Sequence, residues 1–301
     1  MTTKMMLRRV ISQALTKVCA LLTLGVLAAS AHAAPDASGT TLLAKYAELA
    51  PQLASNQFKR PLVLDSSESS SAFKGDIYAL VDHPFGEVND TLNGPARWCD
   101  VLILHLNTKY CHPLTDASGT LLQVNIGKKT EQPLEQAYQV DFVYRKGVHT
   151  PSYFDTRLDA DKGPLGTSNY RIVLEAVAVP GNKTFLHLTY SYAFGFASKV
   201  AMQAYLATAG SDKVGFTREG RRADGQPIYI GGMRGVVERN TMRYYLAIEA
   251  YLNAPAADQP DARLQGWFAA TEDYPLQLHE LERSDYLDMK HHEIARQKEA
   301  R

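Results

Sequence analysis

The side chains with chemical reach in this 301-residue chain are His105, Asp155, Arg157, Glu238 and Arg239. A histidine or carboxylate could exchange a proton with a bound molecule, and an arginine could grip an anion with its planar guanidinium. Their spacing forms no recognisable dyad or triad, so His105 and Glu238 stand only as weak catalytic candidates. Arg157, Arg171 and Arg243 could each clamp a carboxylate or phosphate, although pairing with Asp141, Asp155, Glu175 or Glu238 is the plainer expectation.

Cys99, His105, Cys111 and His112 are close enough in sequence to suggest a metal site. Their intervals match neither C-x₂₋₄-C nor H-x₃₋₅-H, which leaves a metal disfavoured and a Cys–His nucleophile unsupported. A disulfide between Cys99 and Cys111 is the simplest use of the pair, contributing about 3 kcal/mol or less. His292-Glu293-x-x-Arg296 falls one ligand short of H-E-x-x-H, because Arg296 stands where the second histidine must be, so a solvated helix is expected there. There is no glycine-rich phosphate loop and no G-x-S-x-G. Neither a metal nor a cofactor is expected.

That disulfide expectation depends on compartment. Lys4, Arg8, Arg9 and Lys17 precede the apolar stretch Leu21–Ala29, and Ala31-His32-Ala33 reads as a cleavage site. Residues 1–33 therefore look like a signal peptide, with export to a bacterial periplasm expected and a retained anchor the weaker alternative. Lys plus Arg and Asp plus Glu number 32 each, so the balance offers nothing to nucleic acid.

The elements that must position these residues follow from pattern. Thr41–Leu53 has a helical stripe of Leu42, Tyr46, Leu49 and Leu53, and Ser66–Ser71 reads as a polar loop. Asp76–Val81 reads as a strand, then a helix runs from Pro84 and a shorter one carries Trp98. Leu102–Cys111 alternates like a strand that turns His105 away from Leu104 and Leu106. Alternating segments then continue through Tyr144 and beyond. They end in a hairpin, Tyr170–Val179 and Thr184–Phe194, turned at Pro180-Gly181-Asn182. A helix is expected over Phe196–Ala209, followed by a solvated basic loop at Arg218, Arg221 and Arg222; contact of that loop with an anionic membrane surface is the sharper alternative. A long helix from about Gly231 to Asn253 aligns Val237, Thr241, Tyr244, Ile248 and Tyr251, with Arg239, Arg243 and Glu249 off that stripe. Beyond Pro255 comes a helical, highly charged tail with Trp267 and Phe268 as an apolar anchor.

This order resembles the START-like, helix-grip (SRPBCC) superfamily. The resemblance rests on GDIYALVDHPFGEVNDTL, on YRIVLEAVAVPGNKTFLHLTYSYAFG and on GGMRGVVERNTMRYYLAIEAYL. It implies an α+β fold in which a curved antiparallel sheet wraps a long C-terminal helix, with extra helices at both ends. The expected divisions are a signal peptide (1–33), a helical extension and loop (34–74), the START-like ligand-binding domain (75–255) and a charged helical tail (256–301). It also implies an apolar tunnel holding a lipid or other hydrophobic small molecule. Trp98, Tyr110, Tyr144, Arg157, Tyr170, Tyr190, Tyr192, Arg243 and Tyr244 are the expected ligand contacts, alongside Tyr78 and Tyr251 as further wall residues. A solid core with tyrosine hydroxyls at its rim stays open as the alternative. An exported carrier or sensor is the leading reading. A cyclase-, hydrolase- or lyase-type cavity enzyme is the second, and an envelope adaptor acting through Trp267, Phe268 and the tail is the third. Transient membrane or envelope-protein contact goes with either binding reading.

Overall fold

Glycine at position 75 fixes how the molecule is assembled. Gly75 lies in strand β2 (Ala72–Val81), and a Cβ there would come within 2.3 Å of the Thr241 hydroxyl on the long helix. Only a residue without a side chain lets strand and helix approach so closely. The structure is a computed structural model that describes residues 37–195, 200 and 213–299. The expected signal sequence and nearly all of the expected helix over Phe196–Ala209 lie outside the described residues.

Helix α1 (Ala37–Ala54) leads to β1 (Leu62–Glu68) and then β2. Two short helices follow, α2 (Phe85–Leu92) and α3 (Pro95–Leu102). The meander then runs β3 (Thr108–Asp116), β4 (Gly119–Ile126), β5 (Tyr138–His149), β6 (Tyr153–Lys162), β7 (Thr167–Val179) and β8 (Lys183–Phe194). All pair antiparallel in one sheet, ordered β1-β2-β8-β7-β6-β5-β4-β3. The hairpin β9 (Arg218–Arg221) and β10 (Pro227–Tyr229) precedes α4 (Gly232–Asn253). The tail folds as α5 (Pro260–Glu272), the single turn α6 (Pro275–Leu278) and α7 (Arg283–Glu299). A sheet in this order with α4 laid across one face is the helix-grip architecture.

Alternation decides which side chains meet α4. Phe73, Ile77 and Ala79 of β2 point inward, as do Leu186, Leu188, Tyr190, Tyr192 and Phe194 of β8. The β7–β8 turn has Gly181 and Asn182 at φ 82° and 58°, the left-handed backbone these two residues tolerate. The opposite face of the sheet is covered too. Leu42, Leu49 and Leu53 of α1 pack on Val177, Val179, Phe185 and Tyr153, which makes the sheet the middle of three layers.

Three local expectations are corrected. Ser66–Glu68 are not loop but the end of β1, where Ser66 pairs opposite Gly75 and is buried against α4. Leu102–Leu106 is not a strand. It is the end of α3 and a tight turn, in which Leu102, Ile103, Leu104, His105 and Leu106 are all buried, so the apparent alternation carries no face. Nor is the tail a solvated helix. Lys290 is fully buried and donates to the carbonyls of His105 (2.7 Å) and Thr108 (2.8 Å), while Glu293 bridges Lys290 (2.7 Å) and Lys109 (3.0 Å). Gln297 accepts the Cys111 backbone N–H at 3.2 Å and so occupies the free edge of the sheet. Trp267, 1% exposed, donates its indole N–H to the Arg243 carbonyl at 3.1 Å and stacks on Tyr286. Those contacts make α4 interior on nearly every side, including Arg239 and Arg243.

Candidate functional site

Where the grip opens, aromatic rings stand between sheet and helix. The close approaches of α4 are to β2, β1 and β8, so the central strands curve away from it. Long side chains reach across that gap. Tyr190 lies 5.7 Å from Tyr192 and 6.3 Å from Tyr170, and Tyr170 stacks on Tyr192 at 5.3 Å. Tyr244 of α4 closes the cage, 5.2 Å from Tyr190 and 4.8 Å from His105. Phe142 meets Tyr170 edge-on and Phe73 meets Tyr192.

The hydroxyls of this cage are unequally provided for. Tyr170 shares a hydrogen bond with Thr167 at 2.8 Å. Tyr192 and Tyr244 make none among the described residues, and yet neither hydroxyl is among the sealed polar atoms without a partner. Tyr192 is buried, whereas Tyr244 is only half-buried. Burial pushes the phenols of Tyr170, Tyr190, Tyr192 and Tyr244 up, so all are neutral hydrogen-bonding groups at ordinary pH.

His105 stands behind Tyr244. Burial holds its imidazole well below its usual range, and the charges of Arg243, Lys290, Lys129 and Lys109 add to the effect. Its Nδ1 accepts the Asn107 N–H at 3.1 Å, which leaves the proton of the neutral ring on Nε2, where it has no partner.

The other sequence candidates are dispersed. Arg157 occupies an outward position of β6, its side chain 57% exposed and drawn to Asp155 at 3.2 Å, so it cannot reach the cage. Arg243 turns toward the tail, where it meets Glu280 at 2.8 Å and the Leu278 carbonyl. Arg239 donates to the Val214 carbonyl. Trp98 is wedged between α2 and α3 with its N–H on the Leu92 carbonyl. Tyr110 lies on the edge strand β3 over His112, while Tyr144 is half-buried on the inward face of β5. Tyr78 is on the outer face of the sheet, and Tyr251 stacks under Arg263 at 4.4 Å.

Glu238 is fully committed. It accepts from Ser66, Thr217 Oγ1, and the Phe216 and Thr217 N–H groups, which locks the chain before β9 onto α4. Asp155 accepts the Val148 N–H. Cys99 and Cys111 form the expected disulfide, with Cα atoms 5.2 Å apart, which removes the cysteines from any metal or nucleophile. No group of three or more His, Cys, Asp or Glu among the described residues is placed to hold a metal ion.

One polar cluster gave no sequence signal. His187 sends one ring nitrogen to Asp76 (2.9 Å) and the other to Glu175 (2.8 Å), under α1 on the outer face. Its parts come from three strands, and only the register Tyr78–His187–Glu175 brings them level.

Comparison with known proteins finds remote likenesses. No family model and no curated protein matches the chain. Among solved structures, truncated norcoclaurine synthase from Thalictrum flavum is similar at 13% identity, over 48% of this chain and 89% of that one, with TM-score 0.33. Human StAR-related lipid transfer protein 5 is similar at 10% identity over 56% and 89%, TM-score 0.31. CalU16 from Micromonospora echinospora is similar at 12% identity over 69% and 96%, TM-score 0.32. The helix-grip assignment rests on the sheet order and on α4, described above.

Proposed function

We propose that this protein binds a hydrophobic small molecule, a lipid or similarly apolar compound, between the curved sheet and α4. The observation that supports this most is that the Tyr192 and Tyr244 hydroxyls, in a cage of rings between sheet and helix, make no hydrogen bond among the described residues and are not among the sealed, partnerless atoms. A solid core would have sealed or paired both groups. A ligand that buried roughly 300 Å² of apolar surface there would gain about 7 kcal/mol before the cost of association. Tyrosines suit such a wall, since each offers a flat apolar face and one polar end.

The setting we propose is the periplasm, with the protein acting as a carrier or sensor. That reading is supported by the basic and apolar pattern of residues 1–33 and by the disulfide. N-terminal sequencing of protein from a cell-envelope fraction should begin at Ala34. A cytosolic chain with Met1 intact would end the export reading.

The binding test uses phenylnaphthylamine, an uncharged fluorescent probe. The wild type should bind it, and Tyr244→Trp, which fills the space, should weaken binding about tenfold, a loss of roughly 1.4 kcal/mol, with near-ultraviolet circular dichroism preserved. Organic extracts of protein purified from its own envelope should contain a bound compound. Empty extracts together with no probe binding would overturn the proposal. A second reading, catalysis in the same cage, draws on the unpartnered Nε2–H of His105. It requires a turnover that His105→Gln abolishes while probe binding stays intact. The adaptor reading loses its anchor, because Trp267 is spent inside the molecule.

A further inference from the structure

Three segments far apart in sequence meet in a groove of about 500 Å³ on the surface. The α1–β1 link supplies Gln57, Phe58, Lys59 and Arg60. The β9–β10 hairpin and the chain just before it supply Phe216, Arg218 and Tyr229, and the α5–α6 link with α6 itself supplies Asp273 through Gln277. None of these residues belongs to the tyrosine cage.

The floor is aromatic. Phe58, Phe216 and Tyr274 pack together with centroids 5.4–6.3 Å apart, and the Tyr274 hydroxyl is tied to the Phe58 carbonyl at 2.8 Å, so the floor is rigid. Pro275 and the 56%-exposed Leu276 make an apolar lip. The polar groups divide into occupied and unoccupied. Arg60 is taken by Glu249 and by Asp273, and Asp273 thereby has its cation. Among the described residues Lys59 and Arg218 make no ion pair and no hydrogen bond engages the Tyr229 hydroxyl. The Gln277 carboxamide likewise has no hydrogen bond among the described residues, although the residue is buried. Two uncommitted cations, a phenol and a carboxamide converge over an apolar floor, in a volume within the range of small-molecule sites.

We propose that this groove is a second ligand site, distinct from the cage, for a small anion with an apolar or aromatic body, of the carboxylate or sulfonate class. Lys59 and Arg218 take the charge, Gln277 and Tyr229 orient the head, and Leu276 covers the body. Arginine is suited to a planar oxyanion because it donates two parallel hydrogen bonds.

The test pairs two probes on the full chain: anilinonaphthalene sulfonate, which is anionic, and phenylnaphthylamine, its uncharged relative. The double substitution Lys59→Ala with Arg218→Ala is on exposed side chains and should leave circular dichroism unchanged. It should weaken binding of the sulfonate about tenfold, the loss expected of two exposed charge contacts, and leave the uncharged probe unaffected. Leu276→Asp should weaken the sulfonate at least as much. Raising salt from about 0.1 M to about 1 M should weaken the wild type toward the double variant, since the screening length falls from ~10 Å to ~3 Å. Sulfonate binding that is absent in the wild type, unchanged in the double variant, or lost in parallel with the uncharged probe in Tyr244→Trp would overturn the proposal. Failure of the uncharged probe alone would strike the cage and leave the groove standing.

Discussion

Replacing His187 with glutamine should destabilise the protein strongly at pH 6 and weakly at pH 9. In the wild type, burial opposes charge on His187, but the hydrogen bonds to Asp76 and Glu175 outweigh it and raise its pKa. Asp76 is held below its usual range despite burial by His187, Lys74 and Thr189, and Glu175 likewise by His187 and Tyr153. A histidine with a raised folded pKa stabilises fully below its unfolded value of about 6.5 and loses that contribution as pH rises through the folded value. The two depressed carboxylates contribute above their unfolded values, about 4, and lose it as pH falls through the folded ones. The cluster is therefore most stabilising from about pH 5 to 6.5.

Each of the two hydrogen bonds joins charged groups and is mostly shielded from water, with 14% of the His187 side chain and 27% of Glu175 exposed. Such bonds contribute about 1.5–3 kcal/mol each, and two that share one ring do not add fully, so His187→Gln should cost about 3 kcal/mol at pH 6. That corresponds to a fall in Tm of roughly 6–12 °C for a chain of this size. As pH rises above the folded value, toward pH 9, the ring becomes neutral and donates one N–H, and the difference should shrink toward about 1 kcal/mol. Urea unfolding followed by far-ultraviolet circular dichroism at both pH values measures it. Equal losses at pH 6 and pH 9 would refute the charge assignment, and a negligible loss at both would refute the cluster's part in stability.

Four further outcomes are expected. Glu293→Gln leaves the buried ammoniums of Lys109 and Lys290 unanswered and should cost about 3–5 kcal/mol by denaturant unfolding. Burial brings Lys290 and Lys129 down to about 8, against the opposing charges of Glu293 and Glu280, so between pH 8 and 10 the unfolded chain binds more protons and stability rises. Lys290→Met should remove roughly half of that slope. Gly75→Ala should cost about 1–3 kcal/mol through contact with Thr241, and Thr241→Ala should recover most of it in the double variant. A chain ending at Pro255 should lose cooperative unfolding or precipitate, and a truncated protein melting at the wild-type temperature would contradict the buried role of the tail.

The grip itself was legible because its signals are local. Pro180-Gly181-Asn182 sets the β7–β8 turn, Asp76–Val81 carries β2, and the apolar stripe around Ile248 continues from Gly232 to Asn253 as a helix. Tyr170, Tyr190, Tyr192 and Tyr244 shared faces by simple periodicity, and they do meet. Periodicity says nothing about what lies across from a face. Arg239 and Arg243 sit off the apolar stripe, as a solvated surface would, but the tail covers Arg243 and the segment before β9 meets Arg239. Lys109 and Lys290 look like ordinary surface lysines until Glu293 is found between them. His187 is invisible for the same reason: its partners are set by strand register, which a single sequence does not spell out.

The covering tail also changes what α4 can do. In a bare helix-grip, the back of the long helix faces water, and the helix can lift to admit a ligand at the expense of its contacts with the sheet alone. Here α4 is clamped at Gly75, held by Glu238 to the segment before β9, and backed by Trp267 and Glu280. Lifting the whole helix would break all of these together, several charge-assisted hydrogen bonds among them. For the ligand proposed above, the way in that breaks fewest of these contacts is ring rotation and local opening at the half-buried Tyr244, where no such clamp acts among the described residues. Substitutions that loosen the Glu238 anchor, such as Ser66→Ala, should consequently speed probe entry more than they weaken probe affinity, and stopped-flow binding of phenylnaphthylamine would separate the two. Equal changes in rate and affinity would mean that the anchor shapes the bound state rather than the way in.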